Sequence, residues 1–549
     1  MCEVILLPGN AFKPLFFKNS YLTPNILHMQ SDAGKFRKIF IANTNFPAPG
    51  SAEESALFTQ MQVQLGEQFE KIFPDKLAPR TVVILPSLSL DTDILSKVKG
   101  AQYYEERMLC LLMLLRMPTT KIIFITSMPV ADSIVDYYLH LLPGITGKHA
   151  RERLTLLSCY DTSVKPLTQK LLERPRLMDR IRNLITDTSS AHLTCFNITA
   201  LEKTMSVQLG IPLFGTDPDK FYEGSKSGGR KNFSAAGVLF PDGYEDLHTR
   251  GEVVKALAAL KQKDAALRKA VVKMNDGFSG DGNAIYTYPV INDTAAIEKT
   301  IEESFSQHFK AVATDLSEAL FFEKFKSMGG IVEVFLDGAV KMSPSVQCVI
   351  APSKKVEVVS THDQLLGGDD GQIFIGAIFP ADKMYNISLA AEGKKIAEVL
   401  ASKGAMGRFA IDFISVQQSD GSWKHYAIEI NLRKGGTTHP FLMLQFLTGG
   451  KYNADTGEYL TAGGTQRFYF ASDNVSSEKY KGLTPDDLMN LSIYHDLMYD
   501  SAAQEGVMFH LVGALSEFGK LGLVCIGDSP ESAKAFYDKT IEILDFECC

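Results

Sequence analysis

The sequence of 549 residues lacks the features that mark several classes of protein. No apolar run reaches the roughly 20 residues that a membrane-spanning helix needs, and the longest, near Met108–Met117, is interrupted by Arg116. The first residues carry no basic segment ahead of their apolar ones, so no secretory signal is expected. A net charge of −8 provides no basic excess for nucleic acid. We therefore expect neither a membrane nor a nucleic-acid partner.

Tryptophan and cysteine are also scarce, with one and eight residues. The cysteines are scattered, without the Cys-x-x-Cys spacing of a zinc site or the pattern of a disulfide framework. Cysteines used in this way suit a reducing compartment, so a cytoplasmic location is expected. Hydrophobic residues make up 45% of the chain and charged residues 22%, which is enough for several packed domains.

The first two hundred residues alternate short apolar segments with helical ones, and this alternation predicts a layered parallel sheet. A helix is predicted from Ser51 to Phe73, because Ser51 and Glu54 have the spacing of a capping box. Six strands are predicted, at Val4–Leu7, Ile39–Ala42, Val82–Leu85, Ile122–Ile125, Leu154–Leu157 and His192–Phe196.

The sequence changes character near Asp217 and again at a polar stretch near Ser472–Ser477. We predict an α/β protein of three domains: an N-terminal parallel-sheet domain (1–215), a central α+β domain (216–472) and a small α+β domain (473–549). In the last domain Thr484 and Ser529 each precede a proline, which is the pattern of a capped helix start.

The segment Phe409–Arg433 predicts a β-hairpin. Two alternating runs flank Asp420-Gly421, a dipeptide that favours a two-residue turn with both residues at positive φ. That turn places Asp412 directly opposite Glu429. It also assigns six apolar residues to one face of the hairpin, namely Phe409, Ile411, Phe413, Tyr426, Ile428 and Ile430.

The other face of this hairpin carries Asp412, Glu429, Asn431 and Arg433. Directly opposed carboxylates repel each other, so their pairing needs a compensating group. Two carboxylates and an amide oxygen are ligands that suit Mg²⁺, which usually completes its shell with substrate phosphates. The alternative is an ordinary solvated hairpin face.

Residues 271–283 combine a strand lysine with a glycine loop. Lys273 ends an apolar strand, the glycines at 277, 280 and 282 follow, and Ala284–Val290 alternates like a second strand. A strand after the glycines excludes a P-loop and a dinucleotide fingerprint, both of which need a helix there. Backbone N–H groups of such a loop can surround phosphate oxygens, and Lys273 can reach a phosphate as a point charge. An ordinary turn is the alternative.

Three further segments allow two interpretations each. The strand ending in Glu333-Val334-Phe335-Leu336 can present its backbone to an adenine edge, or it is a plain buried strand with one outward glutamate. The run 225–230 predicts a loop ahead of a helix ending at Ala236, and it can bring Lys226 to a nucleotide. The segment 362–371 predicts a loop that either covers an active site or is an exposed acidic turn.

These motifs in this order resemble the ATP-grasp superfamily. Lys226 precedes the Ala236-Gly237-Val238 turn, Lys273 lies on the strand before the glycine loop, and residues 429–433 match a Glu-x-Asn-x-Arg signature. Within that superfamily the chain is similar to the pheganomycin-type peptide ligases, in segments such as SKSGGR (225–230), EINLRKGGTTHP (429–440) and the tail from LTPDDL (483–488). The acid that binds ribose in many members has no clear counterpart, and Asp337 is the one candidate.

The resemblance implies an ATP-dependent carboxylate–amine ligase that forms a peptide or other amide bond through an acyl phosphate. ATP would be bound by Lys226, Lys273, Gly277, Ser279, Gly280, Gly282, Glu333, Val334 and Leu336. Mg²⁺, or Mn²⁺, would be bound by Asp412, Glu429 and Asn431, and Lys273 and Arg433 would act on the reacting groups. Small-molecule substrates and a possible homodimer are expected. The alternatives are a ligase for a non-peptide amine and a nucleotide-binding regulatory protein without turnover.

Overall fold

The computed structural model describes residues 46–90, 92–277, 282–290, 293–313, 316–367 and 373–548. The strands predicted at Val4–Leu7 and Ile39–Ala42 lie outside these residues, and so do Ser279 and Gly280 of the glycine loop.

A parallel sheet of four strands forms the first part of the described chain. Its strands are β1 (Arg80–Leu85), β2 (Thr120–Thr126), β3 (Leu154–Ser158) and β4 (Ala191–Cys195). They are ordered β3, β2, β1, β4, and every neighbouring pair is parallel. The prediction of a parallel sheet is confirmed, as are the four predicted strands that the structure describes. The apolar side chains of β1 are fully buried, because helices cover both faces of such a sheet.

Helices connect these strands. The predicted helix begins at Ala52, and the hydroxyl of Ser51 accepts a hydrogen bond from the amide of Glu54 at 3.1 Å. The carboxylate of Glu54 accepts from the amide of Gly50 rather than from that of Ser51, so the capping box is shifted by one residue. The helices of this part are Ala52–Lys71, Thr92–Lys97, Asp132–His140, Gly147–Arg151, Leu167–Leu172, Pro175–Leu184 and Ala200–Leu209.

A buried 3-10 helix, Ala101–Arg116, links the parallel sheet to the end of the chain. Glu105 accepts hydrogen bonds from the amide and hydroxyl of Ser127, both at 2.6 Å, beside the carboxyl end of β2. The neighbouring Glu106 accepts one from the amide of Gly513 at 3.0 Å. Burial raises the pKa of both glutamates to about 7. This helix also carries Arg107, which faces the cavity described below.

An antiparallel sheet of five strands follows. Its strands are β5 (Gly243–Leu247), β6 (Lys269–Met274), β7 (Asn283–Thr287), β8 (Phe309–Ala311) and β9 (Gly330–Val334), ordered β5, β9, β6, β7, β8. Helices Arg250–Lys263, Ile297–His308 and Glu318–Met328 share an apolar core with this sheet, which includes Leu257, Tyr286 and Phe305. Lys273 pairs with Asn283, so the predicted hairpin around the glycine loop is confirmed.

The largest sheet has nine strands and extends to the end of the chain. Its first six are β10 (Lys341–Met342), β11 (Pro344–Ile350), β12 (Val356–Gly367), β13 (Ile373–Phe379), β14 (Gly407–Gln417) and β15 (Trp423–Asn431). A separate ribbon of β16 (Lys451–Asn453) and β17 (Glu458–Leu460) intervenes, and β18 (Phe468–Ser476), β19 (Gly506–His510) and β20 (Lys520–Gly527) complete the large sheet.

The domain boundary predicted at 472 falls inside β18. β18 pairs with β13 on one side and β20 on the other, so the last part of the chain continues the central sheet. The polar stretch that suggested the boundary is a strand whose residues Ser472 and Asp473 are buried. The helices capped by Thr484 and Ser529 are present as predicted, with Pro485 and Pro530 as their first residues.

The remaining helices connect and cover these sheets. They are Phe221–Gly224, Lys226–Ala236, Asn386–Ser402, Thr438–Thr448, Pro485–Tyr494, Leu515–Phe518 and Pro530–Glu547, with short 3-10 turns at Thr188–Ser190, Pro218–Lys220, Thr294–Ala296, Glu478–Tyr480 and Val512–Ala514. Within the described ranges, no helix combines the length and the apolar character needed to cross a membrane.

Candidate active site

The pairing of β14 with β15 places the two predicted carboxylates together. Asp412 lies opposite Glu429 and Ala410 opposite Asn431, as the hairpin prediction required. The turn itself differs, because Gln418 donates its amide to the carbonyl of Ser422 and three residues, 419–421, form the loop. Gly421 supplies the positive φ of +83° that such a loop needs.

A β-bulge reconciles this longer turn with the predicted pairing. Near the turn Phe413 pairs with Ala427, whereas Asp412 pairs with Glu429, so Ile428 is an extra residue on β15. The assignment of Phe409, Ile411, Phe413 and Ile430 to the buried face is correct, and all are at most 3% exposed.

The assignment of Tyr426 and Ile428 to that face is wrong. The three-residue loop shifts the register by one before the bulge, which reverses the faces of that part of the strand. Ile428 instead lines a cavity next to Glu429.

Asp412 is held by two amide side chains. Gln364 on β12 donates to Oδ1 at 2.8 Å, and Asn431 donates to Oδ2 at 2.9 Å. Burial, together with the charge of Glu429, raises the pKa of Asp412 to about 6. Gln364 lies in the segment 362–371, whose prediction as a loop is wrong as far as Gly367, because these residues belong to β12. Residues 368–372 lie outside the described part of the chain.

Glu429 is paired with Lys226, whose Nζ lies 2.5 Å from Oε1. Burial alone would raise the pKa of Glu429, but Lys226, together with Lys273 and Arg433, holds that pKa below its usual range. The ion pair offsets the repulsion expected between Glu429 and Asp412. Lys226 is not in a loop as predicted, because the hydroxyl of Ser225 accepts from the amide of Gly228 and the helix starts at Lys226.

Lys273 belongs to a second buried ionic group. Its Nζ lies 2.5 Å from Oε1 of Glu333, and Nη1 of Arg230 lies 3.2 Å from Oε2 of the same carboxylate. Glu333 is 3% exposed, and each of its two carboxylate oxygens contacts one of these cations. The carboxylate therefore fixes the position of Lys273, an arrangement that could not be inferred from the strand pattern.

Two adjoining cavities meet at the side chains of Asp412 and Glu429. The larger cavity, of about 470 Å³, has an apolar wall from β9, β10 and the hairpin, formed by Val334, Phe335, Leu336, Met342, Ile414 and Ile428. The smaller cavity, of about 340 Å³, has a more polar wall that includes Arg107, Asn431, Arg433 and Asp473. Lys226, Asp412, Glu429 and Gln364 line both, so the carboxylate pair stands at their junction.

The glycine loop and the segment after β9 border these cavities. Gly277 and Gly282 line the smaller cavity, and the carbonyl of Gly282 accepts from the amide of Met274 at 2.9 Å. Asp337 is not among the residues that line the larger cavity, whereas Lys341 and Ser343 are. Lys273, Val334 and Leu336 line it as well, so most of the described residues predicted to contact a nucleotide come together.

Three oxygen-bearing side chains face the junction, which suits a hard cation. Asp412, Glu429 and Asn431 supply two carboxylates and an amide, the donor types that Mg²⁺ takes from proteins. In the described part of the chain, no group of three or more His, Cys, Asp or Glu side chains could hold a metal by itself. The donor set therefore fits an ion that receives its other ligands from a bound phosphate and water.

Sequence reasoning missed three polar residues of the site. Gln364 lies in a segment predicted to be a loop, Asp473 lies in the polar stretch predicted to separate two domains, and Arg107 directly precedes the apolar run near Met108–Met117. Each comes from a different element, β12, β18 and the 3-10 helix, and tertiary packing alone brings them together. The one available signal is a charged residue directly before an apolar run, since a charged residue that becomes buried needs a partner.

Comparison with known proteins finds two matching families and two relatives that cover most of the chain. The family described as "IQCH-like, ATP-grasp" matches residues 219–310 and 293–455, and the "PGM1 C-terminal domain" matches 495–540. L-propargylglycine–L-glutamate ligase of Streptantibioticus cattleyicolor is 29% identical over 465 residues, covering 83% of this chain and 92% of that protein. IQ motif-containing protein H of Danio rerio is 22% identical over 519 residues, and the match covers 86% of this chain but only 49% of that longer protein.

Similar solved structures include N5-carboxyaminoimidazole ribonucleotide synthetase in its ADP complex, with a TM-score of 0.47, 13% identity and coverage of 85% of this chain and 98% of that one. Biotin carboxylase of Campylobacter jejuni also has a TM-score of 0.47, with 12% identity and coverage of 83% and 89%. The family match covers both strands of the Asp412–Glu429 hairpin and the strand that carries Lys273. Residues 219–455 of this chain, which carry the hairpin and Lys273, match the ATP-grasp family.

Proposed function

We propose that this protein is an ATP-dependent carboxylate–amine ligase, which joins an amino-acid-like carboxylate to an amine and releases ADP and phosphate. The observation that carries this proposal is the carboxylate pair at the junction of two cavities. A nucleotide in the larger cavity and a substrate in the smaller one would meet at Asp412 and Glu429. The similarity to a ligase that joins two amino acids supports the same reaction.

The larger cavity binds ATP in this proposal. Its apolar wall, with Phe335 and Ile428, suits a flat base, and the backbone around Val334 and Leu336 lies at its edge. Lys226 and Lys273 bind phosphate oxygens as point charges. Glu333 keeps Lys273 extended along β6 before the nucleotide arrives, so little side-chain freedom is lost on binding.

Asp412, Glu429 and Asn431 would hold Mg²⁺. When bound, the ion neutralises the charge that develops as the terminal phosphoryl group is transferred. The hairpin contributes rigidity, because both carboxylates project from paired strands whose opposite face is buried. Gln364 orients Asp412 by its hydrogen bond to Oδ1.

The reacting carboxylate lies in the smaller cavity, where it attacks the terminal phosphate of ATP. An acyl phosphate forms and ADP leaves; the amine then attacks the acyl carbon and displaces phosphate. Arg433 offsets negative charge on the transferred group in both steps. Enclosure of the cavity by Tyr104, Phe196 and Phe374 limits hydrolysis of the acyl phosphate by water.

The alternative functions are less well supported. A ligase for a non-peptide amine would use the same centre, but the relative named as a ligase acts on two amino acids. A regulatory protein without turnover would have no use for Lys273, Asp412, Glu429 and Arg433 together around two joined cavities. The cytoplasmic location and the homodimer stay predictions.

The nucleotide product tests the proposed function. Incubation with MgATP and pools of amino acids should yield ADP and phosphate, together with an amide detectable by mass. An acyl phosphate route breaks only the terminal anhydride of ATP, so no pyrophosphate should form. AMP in a chromatogram of the mixture would reject the reaction proposed and favour an adenylating enzyme.

Replacement of Lys273 tests the nucleotide assignment. Lys273→Met should weaken ATP binding by about 10- to 100-fold in a calorimetric titration, because a charge-assisted contact to phosphate is worth roughly 1.5–3 kcal/mol. Lys310→Met is the matched control, since Lys310 is an exposed lysine of β8 in the same sheet. Unchanged affinity in the Lys273 variant would place Lys273 outside the phosphate site.

A further inference from the structure

The smaller cavity has an arginine in its wall that the proposed mechanism does not use. Arg107 is 5% exposed, and its guanidinium lies 4.6 Å from the ring centre of Tyr104 and 4.5 Å from that of Phe196. Aromatic faces suit a guanidinium, since cation–π contact offsets part of its lost hydration. These rings leave the edge of the guanidinium as the part that can form hydrogen bonds.

That edge is only partly satisfied. Nη1 lies 3.3 Å from Oδ2 of Asp473, whereas Nε and Nη2 have no hydrogen-bond partner among the described residues. A guanidinium cannot lose its proton under ordinary conditions, so buried N–H donors without an acceptor cost free energy. Both nitrogens are inaccessible to water, whereas the side chain as a whole lines the smaller cavity, so a ligand in the cavity supplies the missing acceptor when the guanidinium turns toward it.

The surrounding charges favour an anionic acceptor. Arg433 lies near enough to lower the pKa of Arg107 further, after burial has already lowered it. Asp473 is the acid paired with Arg107, and the nearby His439 and His510 are buried in contact with each other and have lowered pKa values, so they are neutral. Arg107 and Arg433 lie close enough to interact, so a carboxylate bound at this part of the cavity would be attracted by both.

The proposed reaction supplies such a group. An amino acid that acts as the amine acceptor reacts through its nitrogen and keeps its own carboxylate. We propose that Arg107 binds this free, non-reacting carboxylate of an amino-acid acceptor, and that Asp473 orients the guanidinium for it. The inference rests on the proposed function and specifies its acceptor: an amino acid or peptide with a free carboxylate, not a simple amine or an amino-acid amide.

The test compares each L-amino acid with its carboxamide as acceptor. ADP release is measured with MgATP, a fixed L-amino acid as the carboxylate donor (each of the twenty in turn), and each L-amino acid or its amide as the added acceptor. The rate with the donor alone is subtracted, and wild type, Arg107→Gln and Arg116→Gln are compared. Arg116 is a matched control, because it ends the same 3-10 helix and also lies against a ring, that of Phe446, but lines neither cavity. Both kcat/KM values come from the same enzyme preparation, so their ratio does not depend on the fraction of the enzyme that is active.

Wild type should prefer the acid by at least about tenfold, since a buried charged pair is worth more than one power of ten in affinity. Arg107→Gln should lose most of that preference through a higher KM for the acid, with little change in ATP affinity. Arg116→Gln should keep it. An unchanged ratio in an Arg107→Gln protein that binds ATP would overturn the proposal, as would a wild type that uses amides equally well.

Three further outcomes have different meanings. If Arg107→Gln fails to bind ATP, Arg107→Lys keeps a charge beside Asp473 and loses the planar fork, so a smaller fall in the ratio is expected and an unchanged ratio overturns the proposal. If wild type releases ADP only with simple amines, the proposed ligase stands and the acceptor assignment is wrong. Release of no ADP with any amine rejects the proposed function and this inference with it.

Discussion

Arg433→Met should lower the rate of ADP release by about 10²- to 10³-fold. The side chain lines the smaller cavity two residues beyond Asn431, where its charge can offset that of the transferred phosphoryl group. Removal of a donor aimed at developing charge commonly has an effect of about this size. ATP affinity should change far less, because the nucleotide contacts of Lys226 and Lys273 remain. Single-turnover kinetics and a separate ATP titration measure the two effects.

Two variants control this result. Arg433→Lys should recover part of the rate, since it restores the charge without the planar geometry. Arg180→Met, at an exposed position of helix Pro175–Leu184, should behave as wild type. Normal turnover in Arg433→Met would show that the arginine has no part in phosphoryl or acyl transfer.

Glu429→Gln should reduce turnover at least about 100-fold, because a Mg²⁺ ion bound here would lose a carboxylate ligand. Stability without ligands should change by less than about 1 kcal/mol in urea unfolding. Two effects oppose each other there: Lys226 loses its partner at 2.5 Å, and Asp412 is relieved of a like charge.

Two further substitutions in the same hairpin test the prediction for Glu429→Gln. Asp412→Asn should also abolish most turnover, whereas Asp420→Asn should leave it intact. Asp420 is exposed in the turn, and its Oδ1 accepts from the amide of Ser422 at 2.9 Å, which asparagine can do equally well. A Glu429→Gln protein with full activity would show that the metal site is assigned wrongly. One that unfolds would show that the Asp412–Glu429 pair has a structural role.

The hairpin shows how much of the site the sequence could predict. Alternation and the Asp420-Gly421 dipeptide were sufficient to pair Asp412 with Glu429, because burial of one face fixes the register. The predicted pair is correct, although the predicted two-residue turn is wrong. The longer loop shifts the strand register by one residue, and the bulge at Ile428 shifts it back before Asp412. Neither feature can be recognised in a hydrophobic pattern.

Contacts between distant elements could not be predicted. Lys226 was expected to face phosphate, but its partner without ligand is Glu429, some two hundred positions along the chain. Glu333 was assigned to nucleotide binding from its place in the strand, yet its carboxylate holds Lys273 and Arg230. Short-range patterns determine which face a side chain occupies, whereas ion pairs depend on which elements pack together.

The continuity of the large sheet through β18 limits how the chain can be divided. A fragment ending at 472 would keep the hairpin and both lysines but would cut β18 in half and lose β19 and β20. The shortened strand would keep its pairing with β13, but its backbone groups that pair with β20 would be freed and form an unprotected edge, which is a template for pairing between molecules. Asp473 would be lost as well, leaving Arg107 with no acid opposite it. Catalysis and solubility are therefore expected to depend on the same final strands, although none of them contacts the nucleotide cavity.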